Sequence, residues 1–105
     1  MTGSHPRHGL NELLNHPVRL SIVAALADVA RAEFALVRDA VEITDAMLSK
    51  QVALLESAGY VGVDKGRVGR RTRTWLNLTE DGRAVYTRHV AALEAIAGRR
   101  LDGPR

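Results

Sequence analysis

TDAMLSKQVALLESAG (44–59), followed at once by YVGVDKGRVGRRTRTWLNL (60–78), is the stretch on which the fold turns. In its first half Leu48, Val52 and Leu55 recur at helical spacing and form a core-facing stripe. Thr44 has the hydroxyl of a good N-cap, Asp45 complements the positive end of the helix dipole, and Gly59 stops the helix after Ala58. The second half predicts a hairpin: a strand from Tyr60 to Lys65, a turn from Gly66 to Gly69, and a return strand from Arg71 to Leu78. On the return strand Thr72, Thr74, Leu76 and Leu78 alternate with Arg71, Arg73, Trp75 and Asn77. The less polar set belongs to the core, which leaves the arginines outside.

The charge sits on the hairpin. Residues 60–73 carry Lys65, Arg67, Arg70, Arg71 and Arg73 against Asp64 alone, a local charge of +4. Residues 1–59 sum to −2 and residues 74–105 to +1, so the net +3 of the chain is a property of this one segment. Such a concentration suits a polyanionic partner held in a fixed register.

Outward from this stretch the pattern is helical. LNELL (10–14) is a short helix or a lead-in, and His16-Pro17 marks a helix start, where proline's missing N–H is not needed. Ile22, Val23, Leu26, Ala27 and Ala30 form the stripe of a helix over about 17–30. A second short helix is expected over 32–41, with Phe34, Val37 and Val41 inward; a short strand over its first residues, around Ala32 to Phe34, is the alternative. Thr79 caps a last helix with Glu80 and Asp81 in its first turn and Val85, Tyr86, Val90, Leu93 and Ile96 on its apolar face. Residues 1–9, rich in Gly, His and Pro, are expected to form a disordered tail, and residues 98–105 a frayed one. Residues 10–97 then make one domain, a size that matches 105 residues with 46% hydrophobic content.

Several classes drop out. The chain has no cysteine, so disulfides and thiolate chemistry are excluded, and this composition fits a cytoplasmic protein. No apolar run approaches the roughly 18 residues of a membrane span. Of the four histidines, only His89 lies within a long helix, and Val85, Tyr86, Ala92 and Leu93 surround it at ligand spacing. No metal site is expected, nor any cofactor. No phosphate loop or nucleophile elbow is present, which argues against an enzyme.

Helix, helix, turn, helix, strand, basic turn, strand, helix is the order of a winged helix-turn-helix, an α+β fold that is mainly α. LNHPVRLSIVAAL (14–26) resembles the first helix of ArsR-type repressors, and ITDAMLSKQVALLESAGYV (43–61) the recognition helix of MarR and ArsR regulators. GRRTRTWLNLTEDGR (69–83) is similar to the wing and the LT-x-x-G helix start of MarR-like proteins. The resemblance spans about residues 10–97. It implies a sequence-specific, double-stranded DNA-binding transcriptional regulator, with repression by promoter blocking as the favoured mode. It further implies a homodimer with two recognition helices in successive major grooves.

On that basis Thr44, Asp45, Ala46, Met47, Ser49, Lys50 and Gln51 are the candidate DNA-reading residues, with Gln51 suited to an adenine edge. Asp45 serves either as a dipole partner or as an acceptor for a cytosine amine. Lys65, Arg67, Arg70, Arg71 and Arg73 are the candidate wing contacts to phosphates and the minor groove. The dimer interface is expected to combine Leu10, Leu13 and Leu14 with Tyr86, His89, Val90, Leu93 and Ile96 of a C-terminal dimerisation helix. A small-molecule effector, where one acts, would bind at this interface. The competing readings are a non-specific architectural DNA binder and a winged helix used as a protein-interaction module.

Overall fold

The computed structural model describes residues 4–99 and 101. In chain order it has α1 (Pro17–Leu26), β1 (Ala32–Glu33), α2 (Phe34–Val41), α3 (Asp45–Ser57), β2 (Val61–Val68), β3 (Arg71–Leu78) and α4 (Glu80–Gly98). The strands form an antiparallel sheet in the order β1-β3-β2. The hairpin of the wing is therefore joined by a third, two-residue strand in which Ala32 pairs with Leu76 and Glu33 with Trp75. Of the two readings open for Ala32 to Phe34, the strand holds at Ala32–Glu33 and the helix starts at Phe34.

The helix starts of α1, α3 and α4 are each capped by a side chain, whereas α2 follows directly from β1 with no side-chain cap at Glu33. His16 Nδ1 accepts from the Arg19 N–H at 3.4 Å, Thr44 Oγ1 from Met47 N–H at 3.1 Å and Thr79 Oγ1 from Gly82 N–H at 2.9 Å. The core brings together Leu14, Ile22, Val23 and Leu26 with Val37, Leu48, Val52, Leu55, Val61, Leu76 and Leu78. The stripe expected on α3 is thus buried as a unit. The α1 helix ends at Leu26, earlier than its apolar pattern suggests, leaving Ala30 exposed. The chain must turn there to put Ala32 against β3, and Arg83 of α4 donates to the free Ala27 carbonyl.

The hairpin also differs from expectation. Strand β2 continues through Gly66, which pairs with Arg73, and the turn is the two-residue Gly69-Arg70. Gly69 has φ +65° and Arg70 does not share a positive φ, the pattern of a type II′ hairpin turn.

The N-terminal segment is not all tail. Pro6–Gly9 forms a 3-10 turn capped by His5 Nδ1, which accepts from the Arg7 N–H at 3.0 Å, and it packs along α4. Residues 1–3 of the expected tail, and 100 and 102–105 of the C-terminal one, lie outside the described residues. Residues 10–14 form a turn, not a helix. Asn11 anchors that turn: its N–H donates to His89 Nδ1 at 3.0 Å, its Oδ1 accepts from Leu14 N–H at 3.1 Å, and its Nδ2 donates to the Tyr60 hydroxyl at 3.1 Å.

Two residues assigned to the dimer interface are corrected by this packing. Leu14 is fully buried in the core of its own subunit and His89 is fully buried beneath the lead-in turn. Neither can face a second copy. Leu13 and Tyr86 pack partly against the core, whereas Leu10, Val90, Leu93 and Ile96 are half-buried without belonging to that cluster.

Candidate nucleic-acid interface

The candidate interface comprises the exposed side of α3 and the hairpin beside it. Thr44, Asp45, Ala46, Ser49, Lys50 and Ala53 are exposed along one face of α3, as the helical period requires once Leu48, Val52 and Leu55 turn inward. Met47 is 39% exposed at the edge of that face. These are short or single-charged side chains, which let a helix backbone approach base edges closely.

Gln51 does not join them. It is 5% exposed, and its Oε1 accepts from Arg19 Nη1 of α1 at 2.9 Å while its Nε2 lies 3.4 Å from Met47 Sδ. The adenine-reading role assigned to it is therefore corrected: it lies on the 48–51–52–55 stripe, and a buried amide needs the partner that Arg19 supplies.

Asp45 is paired. Arg38 of α2 reaches its Oδ1 at 2.8 Å through Nη1, and Asp39 Oδ1 at 2.8 Å through Nε. These hydrogen bonds, to Asp39 first and then Asp45, raise the guanidinium pKa above its already high ordinary value, and the Arg38 bond holds the Asp39 carboxyl below the usual range. Arg38 thus offsets part of the carboxylate charge at the start of α3.

The hairpin divides its cations by strand parity. Residues directly opposite in an antiparallel pair share a face. The pairs Lys65–Thr74 and Arg67–Thr72 continue the face of Val63–Leu76 and Val61–Leu78, which is turned toward the helices. Val68–Arg71, Gly66–Arg73 and Asp64–Trp75 lie on the opposite face, and Arg70 sits in the turn. Lys65, Arg67, Arg70 and Arg71 are exposed.

Arg73 is different. Its Nη1 lies 2.8 and 2.7 Å from the two carboxylate oxygens of Glu33 on β1, and both side chains are 35% exposed. Beside it the Arg31 guanidinium stacks 4.1 Å from the Trp75 ring centroid and approaches Asp64 at 3.9 Å. Arg73 therefore braces the wing root, a role the sequence pattern did not distinguish from those of its neighbours.

Between α3 and the hairpin runs an open groove of about 600 Å³ lined by Phe34, Val52, Val63 and Leu76, with Ser49, Ala53 and Glu56 of α3 facing Lys65 and Thr74 of the wing. Candidate residues from the helix and the wing thus border one concave surface. Among the described residues no three His, Cys, Asp or Glu side chains gather closely enough to hold a metal ion, and no helix is long and apolar enough to cross a membrane.

This geometry has known counterparts. The chain is similar to an uncharacterized protein of Methanocaldococcus jannaschii, MJ0432, with 27% identity over 79 residues, 75% of this chain and 86% of that protein. It is similar in structure to a transcriptional regulator homologue from Pyrococcus horikoshii OT3, with a TM-score of 0.77 and 28% identity, covering 83% of this chain and 86% of that one. Its fold is also similar to that of ZitR from Lactococcus lactis, a zinc-responsive MarR family member, with a TM-score of 0.56 and 20% identity over 75% of this chain and 53% of that one. Residues 18–97 match the winged helix DNA-binding domain family. From its first core helix to the end of its last, the chain belongs to that family.

Proposed function

We propose that this protein is a sequence-specific transcriptional regulator of double-stranded DNA, acting as a cytoplasmic homodimer and most simply as a repressor that blocks promoter access. It is not an enzyme in this account. The observation that carries the reading is the shared concave surface, where Ser49 on the polar face of α3 meets exposed Lys65 of the wing. The α3 residues Thr44, Asp45, Ala46, Met47, Ser49 and Lys50 read the major groove, and Arg67, Arg70 and Arg71 grip phosphates and the adjacent minor groove. Lys65 supports them.

The half-buried Leu10, Val90, Leu93 and Ile96 supply the apolar contact between two copies. A small-molecule effector would act at this seam, where a modest change in α4 packing alters the spacing of the two recognition helices. Its identity belongs to chemistry outside this chain.

The test is duplex binding measured across salt concentrations and in competition with unrelated DNA. A steep fall of affinity with salt, together with discrimination among duplexes, supports the proposal. A steep fall without discrimination points to a non-specific architectural binder. No duplex binding at low salt leaves the protein-interaction reading and defeats this one.

A further inference from the structure

One charged group, Arg19, links the lead-in turn to the recognition helix without facing DNA. Its Nε donates to the Leu13 carbonyl at 2.6 Å, and its Nη1 donates to Gln51 Oε1 at 2.9 Å. A guanidinium only donates, so it fixes which end of the buried amide faces it. The amide nitrogen must then point the other way, and it meets Met47 Sδ at 3.4 Å. Met47 is 39% exposed at the edge of the candidate reading face, while Gln51 is 5% exposed. A partly buried hydrogen-bonded path thus runs from the backbone of the lead-in turn, through Arg19 and Gln51, to a side chain on that face.

We propose that Arg19 is a positioning residue for DNA reading: it orients Gln51, and through it Met47, so that the recognition helix presents one fixed surface to the base edges. This rests on the DNA-reading proposal above. Lysine in place of Arg19 keeps the charge but has a single nitrogen, which cannot hold the Leu13 carbonyl and the Gln51 amide in the same fork geometry. Leucine in place of Gln51 fits the stripe but has no acceptor. Both variants leave every exposed cation of α3 and the wing in place, so grip and reading separate.

The experiment compares wild type, Arg19→Lys and Gln51→Leu in the full chain. It measures affinity for the best duplex selected by wild type and for an unrelated duplex of equal length, with the methyl resonance of Met47 recorded by NMR. In both variants the ratio of the two affinities is expected to fall by about tenfold, equivalent to roughly 1.4 kcal/mol. Affinity for the unrelated duplex and its salt slope stay as in wild type, and the Met47 methyl resonance shifts. If Arg19→Lys fails to fold, Gln51→Leu alone decides the matter. An unchanged ratio in a folded variant overturns the role of Arg19 while leaving the DNA-reading proposal intact, as does an equal loss on both duplexes. A wild-type ratio near one overturns the DNA-reading proposal itself, and the role of Arg19 with it.

Discussion

Gly82 explains why a glycine follows the threonine cap of α4 by three positions. A Cβ there would collide with the Tyr60 carbonyl and press on Leu78 Cδ1. The same carbonyl accepts from the Thr79 N–H at 3.0 Å, so the end of α3 and the start of α4 are held together at this point. Gly82→Ala should cost about 1–3 kcal/mol by overpacking, a fall in melting temperature of roughly 4–8 °C per kcal/mol in a domain of this size; thermal unfolding followed by circular dichroism measures it. His89 is the second residue whose chemistry is set by burial. Its Nδ1 accepts from Asn11, so the neutral ring carries its proton on Nε2, which has no hydrogen-bond partner among the described residues. Burial holds its pKa below the ordinary histidine value. The unfolded chain therefore binds the proton more readily, and the stability given by the neutral ring is present above pH of about 6.5 and lost as pH falls below it. The urea midpoint should drop between pH 7 and pH 5, and His89→Gln should flatten that dependence. The helices that carry His89 and Gln51 were legible in the sequence, but their burial was not: His89 was expected at the dimer interface and Gln51 on the DNA-reading face. Their partners were not: Asn11 lies 78 residues from His89 and Arg19 lies 32 from Gln51, and no periodicity joins positions so far apart.

At the scale of elements, α3 and its caps were the most legible, because their stripe, N-cap and glycine stop are all local signals. The wing was legible as a hairpin but not in its turn. The two glycines suggested one turn over Gly66 to Gly69, and only the cross-strand pairing of Gly66 with Arg73 and Val68 with Arg71 narrows it to Gly69-Arg70. The third strand, two residues long, was open in the sequence only as an alternative to the start of α2, because alternation needs a longer run, and the tie between Glu33 and Arg73 was not legible at all. That tie separates cations that composition treats alike. Arg70→Ala combined with Arg71→Ala should weaken binding to every duplex and reduce the salt slope of a dimer by about 3 to 4, at roughly 0.9 for each phosphate no longer neutralised. Arg73→Ala should leave the slope nearly unchanged and lower the melting temperature instead, because it removes a brace and strands Glu33. Titrations at several salt concentrations, paired with thermal melts, distinguish the two. Ser49→Ala, on the exposed face of α3, should alter which duplexes are preferred without changing the slope.

At the scale of the whole molecule, the lead-in turn and the 3-10 segment cover part of α4 that the sequence pattern assigns to a partner. Helical periodicity reports an apolar face but not whether the same chain closes it. What remains for a second copy is narrower, centred on Leu10, Val90, Leu93 and Ile96. Ile96 lies outside the core cluster, so Ile96→Glu should leave the fold intact, give a monomer in sedimentation, and weaken binding to a paired site by about 100-fold or more as avidity disappears. The division of labour between a gripping wing and a reading helix is checked by selecting bound sites from random duplexes. The expected result is a two-fold symmetric consensus with half-sites one helical turn apart, retained when Arg70 and Arg71 are replaced by alanine and altered when Ser49 is. Recovery of duplexes with no shared sequence would contradict it.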